Sequence, residues 1–248
     1  MDLLLGTFVL RPYVFGFLAA FLAAGVVDLG LRRTLLFAAW VGPVAWLCEF
    51  SSTRIGIPFG LYHYTETTRG QELFVANVPF MDSLSFTFLA YAAFCLARAT
   101  VAGRRVPAPG LALVSGVLMM LLDVVIDPLA VRGDRWFLGR IFYYPDGGVY
   151  FGVPLSNFAG WVVVGTLGVG GFMLLDRLIG RTSIIGARPW PGVALYYAVF
   201  VFNLTVTAWI DEWVLVMVGA TVHLATALVL WSVSQRPAEG LGLEKQQA

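Results

Sequence analysis

Charge is what this sequence lacks most: 12% of its 248 residues are Asp, Glu, Lys or Arg, against about a quarter in a typical soluble domain. Hydrophobic residues make up 59% of the chain, and the mean hydropathy is +0.81. This balance predicts an integral membrane protein. Because the net charge is +1, the chain also lacks the basic surface that nucleic-acid binding requires, so we expect no nucleic-acid partner.

Cysteine and histidine are scarce too, with two of each. Cys48 and Cys95 lie in apolar runs, and His63 and His223 are far apart, so neither a disulfide framework nor a zinc-site spacing is present and we expect no metal. The sequence has no P-loop, no nucleotide-binding glycine motif after a strand and no nucleophile elbow, and we expect no cofactor. The glycines of 165–171 are better explained by close helix packing. The N-terminus lacks the features of a cleaved signal peptide.

Long apolar runs are what the chain has instead. Seven are long enough, or nearly so, to cross a bilayer as helices. The fold class predicted is all-α, a polytopic membrane protein with about seven transmembrane helices in one domain over residues 1–232 and a polar, disordered tail over 233–248. Two long loops, 54–82 and 128–157, are rich in aromatic residues, Gly and Pro. The predicted spans are 12–31, 34–53, 83–101, 109–127, 158–178, 191–210 and 213–232.

The distribution of Arg and Lys predicts the orientation of these spans. An outer N-terminus and a cytoplasmic C-terminus place ten of the sixteen basic residues in the cytoplasm and six outside, in keeping with the positive-inside rule. We therefore expect a protein of a prokaryotic cell membrane in this orientation. Both long loops and most of the intramembrane acids then lie towards the outer side.

Carboxylates inside the apolar runs are the strongest functional signal. Asp123 and Asp127 are four residues apart, so they share one face of a helix that we expect to end at Pro128. Such acids are costly in a membrane and usually face a protein interior or a wet cavity. Glu49 is a third candidate. Alternatives remain open at this stage: Asp127 pairs with Arg132 or Arg135, Asp82 and Asn157 cap helices, and Asp28 reaches the inner membrane surface.

The two long loops resemble each other. Each follows a helix that ends in a carboxylate, and each closes with Val-Pro followed by a polar residue, Val78-Pro79 with Asp82 and Val153-Pro154 with Asn157. This pattern favours a parallel repeat of two helix–loop–helix units, although Val-Pro is also common at helix starts. The loop aromatics form either an interfacial belt or a lid over a lipophilic pocket.

Four motifs follow one another between residues 40 and 215. They are Glu49-x-x-Ser52, the segment GIPFGLYHY at 56–64, Asp123-x-x-x-Asp127-Pro128 and Tyr150-x-Gly152-Val153-Pro154-x-x-Asn157-x-x-Gly160-Trp161. Their order and spacing resemble the CruF-type carotenoid biosynthesis proteins, a family of membrane carotenoid hydratases. The resemblance implies addition of water across the terminal carbon–carbon double bond of an acyclic carotenoid end, giving a tertiary alcohol. Family members act on forty-carbon or fifty-carbon substrates.

This chemistry assigns candidate roles to the residues. Alkene hydration begins with a proton delivered to carbon, which needs a carboxylic acid that stays protonated near neutral pH, as burial and a neighbouring carboxylate favour. Asp123 and Asp127 are the candidate acid pair, and Glu49 or Asp82 accepts a proton from the attacking water. Aromatic faces stabilise the cation, and no metal or redox cofactor is required. The predicted substrate-binding residues are Phe59, Tyr62, His63, Tyr64, Tyr150, Asn157 and Trp161.

Three other functions compete with this prediction. A cyclase-type enzyme uses the same acids but keeps water from the cation. A transporter or channel needs polar groups that continue to the inner side, where we expect an almost purely apolar interior. A scaffold within a biosynthetic complex leaves the buried acids unexplained. The expected partners are the carotenoid, membrane lipid and other enzymes of the carotenoid pathway.

Overall fold

A computed structural model describes residues 2–102, 104, 106–179 and 188–235. Within these residues the chain forms eight helices, four two-residue strands and one 3-10 turn at Gly133–Arg135. The helices are α1 (Leu3–Leu10), α2 (Pro12–Asp28), α3 (Leu31–Ile55), α4 (Phe80–Thr100), α5 (Ala108–Ala130), α6 (Leu155–Leu178), α7 (Trp190–Trp209) and α8 (Trp213–Gln235). The strands are β1 (His63–Tyr64), β2 (Phe74–Val75), β3 (Val78–Pro79) and β4 (Phe142–Tyr143).

The predicted all-α membrane fold is confirmed. Helices α3 to α8 are each long and apolar enough to cross a membrane, and α1 with α2 gives a seventh span if this bent pair counts as one. Most of the predicted tail, from residue 236 onward, lies outside the described residues. So do Arg105, Arg181, Arg236 and Lys245, four of the basic residues behind the orientation, which stays a prediction.

A corner between α1 and α2 was not predicted. The two helices meet at 91°, with Pro12 as the first residue of α2, where its missing N–H costs no hydrogen bond. The side chain of Arg11 is 1% exposed and lies 3.0 Å from the Glu72 carboxylate. It also donates to the Leu138 carbonyl at 2.6 Å. One buried guanidinium therefore joins the α1–α2 corner both to the loop that contains Glu72 and to the loop that contains Leu138.

Helix α4 is the centre of the bundle. In its apolar stretch 78% of the residues are buried inside the protein, against 17% for α8. Close packing is clearest between α5 and α6, where a Cβ at Gly116 would lie 2.5 Å from the Val162 carbonyl oxygen and one at Gly165 would lie 2.8 Å from the Gly116 Cα. The glycines of α6 thus serve helix packing, as predicted.

Helix α5 does not end at Pro128, as we had expected, but continues to Ala130. Pro128 lacks the N–H that would bond to the carbonyl of Val124. The Tyr150 hydroxyl donates to that carbonyl at 3.2 Å instead. A side chain from the following loop therefore replaces the missing backbone donor, and the helix passes through the proline.

The two long loops fold against each other over one end of the bundle, called the loop end here. The first loop is 56–79 and the second is 131–154. They are joined where β1 pairs antiparallel with β4, with His63 opposite Tyr143 and Tyr64 opposite Phe142. Aromatic side chains of both loops are buried, and this matches the predicted lid better than an exposed belt. The most buried of them are Phe59, Tyr62, Phe142 and Tyr144.

Candidate active site

A cavity of about 130 Å³ lies beneath the two loops at the loop end. Its polar wall is made by Glu49 of α3, Asp82 of α4, Asp127 of α5 and Asn157 of α6. Four helices therefore bring together groups that the sequence separates by more than a hundred positions. Aromatic side chains complete the wall, with phenols from Tyr62, Tyr64 and Tyr144 and rings from Phe59, Phe86, Phe142 and Trp161.

Asp127 reaches the cavity and Asp123 supports it from behind. Asp123 is 0% exposed and is one helical turn before Asp127. The Asn157 amide donates to both acids, at 2.7 Å to Asp123 Oδ2 and 2.7 Å to Asp127 Oδ2. The Trp161 indole N–H donates to Asp127 at 3.3 Å, and the Asp127 backbone N–H donates to Asp123 at 3.2 Å. The predicted pair thus shares one amide, and the alternative pairing of Asp127 with Arg132 or Arg135 is not observed.

Glu49 is held in the same way on the other side of the cavity. It is 4% exposed and accepts hydrogen bonds from Tyr64 at 3.0 Å and from the Ser83 hydroxyl. Ser83 follows Glu49 by 34 residues, and Asn157 follows Asp123 by 34. Each helix–loop–helix unit therefore bonds its buried acid to the first turn of its second helix, which supports the predicted repeat. The counterpart of Asn157 in this bond is Ser83, however, and not Asp82 as predicted.

Asp82 and Asn157 do not cap their helices. The N-cap residues of α4 and α6 are Pro79 and Pro154, and neither helix start carries a side-chain cap hydrogen bond. Both polar residues instead face the cavity from the first turn of their helix. The capping alternative is therefore wrong for both residues.

The aromatic wall supplies both ring faces and neutral hydroxyls. Trp161 stacks on Phe86 with ring centroids 4.8 Å apart, and Phe59 lies 5.8 Å from Phe86. Burial raises the pKa of the Tyr64 phenol well above its usual value, and the Asp82 and Glu49 carboxylates add to the effect. Burial also raises the pKa of Tyr62. Both phenols therefore stay protonated and available as donors at neutral pH.

Nearly the whole chain matches one known protein family. The family described as "Carotenoid biosynthesis protein" matches residues 3–226, including both loops and every cavity residue. This chain belongs to that family. A bisanhydrobacterioruberin hydratase of Haloarcula japonica is 30% identical over 185 residues, which cover 73% of this chain and 55% of the relative. The chain thus spans little more than half the length of that relative. No solved structure matches it.

Three residues predicted for the site of this carotenoid biosynthesis family member lie outside the cavity wall. Asp123 is behind it, as described above. Tyr150 bonds to the backbone of α5, and His63 in β1 packs its ring 5.9 Å from that of Tyr143. The other predicted residues, Glu49, Phe59, Tyr62, Tyr64, Asp82, Asp127, Asn157 and Trp161, all line the cavity. Their roles in catalysis and binding stay predictions.

Other cavity residues were missed by the sequence analysis. They include Tyr13 and Phe17 of α2 and Phe202 and Asn203 of α7. Asn203 was detectable as an amide inside an apolar run. The aromatic residues were not, because an aromatic at helical spacing in an apolar run is ordinary packing by sequence alone.

The opposite end of the bundle is more polar than predicted. Asp28 does not reach the membrane surface but is 8% exposed, accepting hydrogen bonds from Tyr91 at 3.1 Å and from Arg98. Arg33 and Asp176 form a second ion pair at 2.9 Å. None of these residues lines the cavity. In the part of the chain that the structure describes, no group of three or more His, Cys, Asp or Glu residues is arranged to hold a metal ion.

Proposed function

We propose that this protein is a carotenoid hydratase that adds water across the terminal double bond of an acyclic carotenoid end group and forms a tertiary alcohol. In reaction class it is a hydro-lyase of the carotenoid 1,2-hydratase type. The observation that carries the proposal is a cavity beneath the loops in which three carboxyl groups face aromatic rings. Family membership and the relative whose name is bisanhydrobacterioruberin hydratase support it.

Asp127 is the proposed acid. Its carboxyl proton passes to the CH carbon of the terminal double bond, and the positive charge falls on the carbon that carries the two methyl groups. Asp123 and Asn157 hold the Asp127 side chain in place through the shared amide. A second carboxyl group close by also favours the protonated form of an acid pair. Asp123 is therefore a positioning residue, and Asp127 alone of the pair meets the substrate.

Water then captures the cation. Its oxygen bonds to the tertiary carbon, and the proton that it releases passes to Glu49 or Asp82, the two carboxylates across the cavity. The substrate has gained one H and one OH in total. The faces of Tyr62 and Trp161 stabilise the cation until water arrives.

Hydration is favoured over cyclisation by the polar half of the cavity. Glu49, Asp82, Tyr64 and Asn157 all border it and offer the several hydrogen-bonding partners that a water molecule requires. A cyclase-type site must keep water away from the cation. A wall lined by acids, an amide and a phenol instead binds water close to it.

The test is conversion of a carotene in cells. The chain is expressed in cells that accumulate an acyclic-ended carotene such as lycopene, and the extracted pigments are analysed by mass. We expect a product heavier by one water. Asp127→Asn should reduce it by about 100-fold or more, as loss of a general acid does, and Asp123→Asn should reduce it less. Asp146→Asn, which changes an exposed acid of the second loop, is the matched control and should leave conversion unchanged.

Each other outcome has a definite meaning. A new pigment of unchanged mass would show that the protein catalyses cyclisation and not hydration. Equal conversion by Asp127→Asn and the unaltered chain would remove Asp127 from the mechanism. If lycopene is unchanged, a fifty-carbon acyclic carotenoid is tested in the same way, and failure with both substrates would overturn the proposed function.

A further inference from the structure

A second depression lies next to the active-site cavity, on the outer surface of α2 and α7. It is a groove of about 530 Å³, lined by nine residues that are apolar except for the hydroxyl of Tyr13. Small residues form its sides, Gly16 and Ala20 on α2 and Ala194 and Ala198 on α7, and all four are exposed. Helix α7 is long and apolar enough to cross a membrane, and α2 is the longer half of the bent pair that counts as a seventh span. We therefore place the groove on the side of the bundle that faces the lipid. We call it the α2–α7 groove.

The α2–α7 groove and the cavity share a wall. Tyr13, Phe17 and Phe202 line both. Tyr13 stacks on Phe202 with ring centroids 5.4 Å apart, and Phe17 meets Phe202 edge to face at 5.5 Å. Three side chains therefore border both spaces, and the rings of Tyr13 and Phe17 both contact that of Phe202.

The size of the cavity requires such a connection. An apolar cavity of about 150 Å³ holds one benzene molecule, so the 130 Å³ cavity has room for the terminal unit of an isoprenoid and not for the rest of a carotenoid. The remaining polyene must leave through an opening. It is rigid and apolar, so it needs a straight apolar path rather than the polar surface outside the loops.

The α2–α7 groove offers an apolar path that begins at the cavity. From Phe202, at the cavity, to Pro191, at the far end, the groove extends about 16 Å at 1.5 Å per residue along α7. A Cβ added at Gly16 would meet no atom within 4 Å, so the space beside this helix is open.

We infer that the α2–α7 groove is the binding site for the polyene chain of the substrate, and that Tyr13, Phe17 and Phe202 form the gate through which the end group enters the cavity from the bilayer. This inference rests on the proposed function for the identity of the substrate. It makes Ala20 and Ala198 binding residues that touch the chain far from the reacting carbon. A longer side chain at either position fills the groove without touching the carboxyl groups.

The experiment measures binding separately from turnover. The full chain carrying Asp127→Asn, which is not expected to turn over its substrate, is purified from lycopene-accumulating cells, and the carotene retained per protein is read from its visible absorption. We expect Ala20→Leu and Ala198→Leu each to lower retained lycopene by about tenfold, whether added singly or together. Ala19→Leu is the matched control, because Ala19 is exposed on the same helix but does not line the groove, and it should retain lycopene within twofold. Thermal midpoints verify folding, and Ala194→Leu replaces any variant that is destabilised.

The outcomes distinguish the two proposals. Undiminished lycopene retention in both groove variants would overturn the inference and would mean that ordinary bilayer lipid occupies the groove. An equal loss in Ala19→Leu would also overturn it, because the effect would not be specific to the groove. If lycopene retention depends on Ala20 and Ala198 but the unaltered chain forms no hydrated product from either the forty-carbon or the fifty-carbon substrate, the groove inference stands and the proposed hydratase function is wrong.

Discussion

Asn157 is the residue on which the acid pair depends. Two carboxyl oxygens from one helix lie 2.7 Å from the same amide nitrogen, and the side chain is 1% exposed. An amide NH₂ group has two hydrogens, and both are used here. The geometry of Asp127 in the cavity is therefore set by a residue of the neighbouring helix.

Replacing Asn157 tests this dependence. We expect Asn157→Leu to lower hydration by about tenfold or more, because a buried carboxyl group left without its donor costs about 1–3 kcal/mol. Ser156→Ala, in the same helical turn but outside the cavity wall, is the control. The measurement is the mass-resolved yield of hydrated carotene per protein. Conversion by Asn157→Leu at the level of Ser156→Ala would show that the amide is not needed.

Two tyrosines that look alike in the sequence are predicted to behave differently. Tyr150→Phe removes the donor to the Val124 carbonyl, so we expect the free energy of unfolding to fall by about 1 kcal/mol with conversion almost unchanged. Tyr64→Phe removes the hydroxyl that bonds to Glu49 and should lower conversion with less effect on stability. Thermal midpoints and pigment yields are compared for both variants. The reverse pattern would mean that Tyr150 belongs to the site and Tyr64 to the scaffold.

At the scale of elements, ion pairs hold the loops over the cavity. Arg132, just after α5, donates to the Pro128 carbonyl at 2.7 Å and to the Phe151 carbonyl at 2.8 Å. It also pairs with Glu212 at 3.1 Å, and Arg135 bonds to the same carboxylate. Glu212 follows α7, so this cluster joins the α7–α8 corner to the second loop, while Arg11 and Glu72 join the α1–α2 corner to the first loop.

The Glu212 cluster predicts a pH dependence. Burial alone would raise the pKa of Glu212, but the guanidinium groups of Arg132 and Arg135 outweigh it and lower the pKa below the ordinary value of 4.5. A depressed carboxyl pKa stabilises the fold above that ordinary value, and the stabilisation is lost as the pH falls through the folded pKa. We therefore expect Glu212→Gln to have a lower thermal midpoint than the unaltered chain at pH 7, with the difference shrinking below about pH 4.5.

Glu66→Gln is the control for that series. It removes an ion pair with Arg69 on the surface, where the Arg69 side chain is 48% exposed and the Glu66 side chain is 45% exposed. Such exposed pairs contribute little to the free energy of unfolding. We expect a small midpoint difference at every pH. A Glu212→Gln difference that does not change with pH would show that the carboxylate acts through packing and not through its charge.

At the scale of the whole molecule, the three cavity acids and both long loops lie at the loop end, so the orientation of the protein decides which side of the membrane they face. The distribution of Arg and Lys predicts the outer side. In a chain with Cys48 and Cys95 replaced by Ala, Asp146→Cys in the second loop should react with a membrane-impermeant maleimide in intact cells. Ala102→Cys, after α4 at the opposite end, should react only after permeabilisation. The opposite labelling pattern would invert the predicted orientation.

The sequence by itself determined the class of the fold and most of the polar residues of the cavity. Long apolar runs fix membrane helices because every backbone polar group must be bonded inside the lipid. A carboxylate inside such a run is so costly that it signals a site wherever it occurs, which is why Glu49, Asp123 and Asp127 were found without a structure.

The tertiary structure decided how these residues divide their roles. The sequence cannot tell that Asp127 reaches the cavity while Asp123 lies behind it, because both share one helical face and only the packing of α6 separates them. It cannot tell that Tyr150 replaces a backbone donor, since this depends on where the second loop folds. Nor can it show that Tyr13, Phe17 and Phe202 stand between the acids and the lipid, because an aromatic ring in an apolar run has the same sequence pattern whether it faces a core, a cavity or the bilayer.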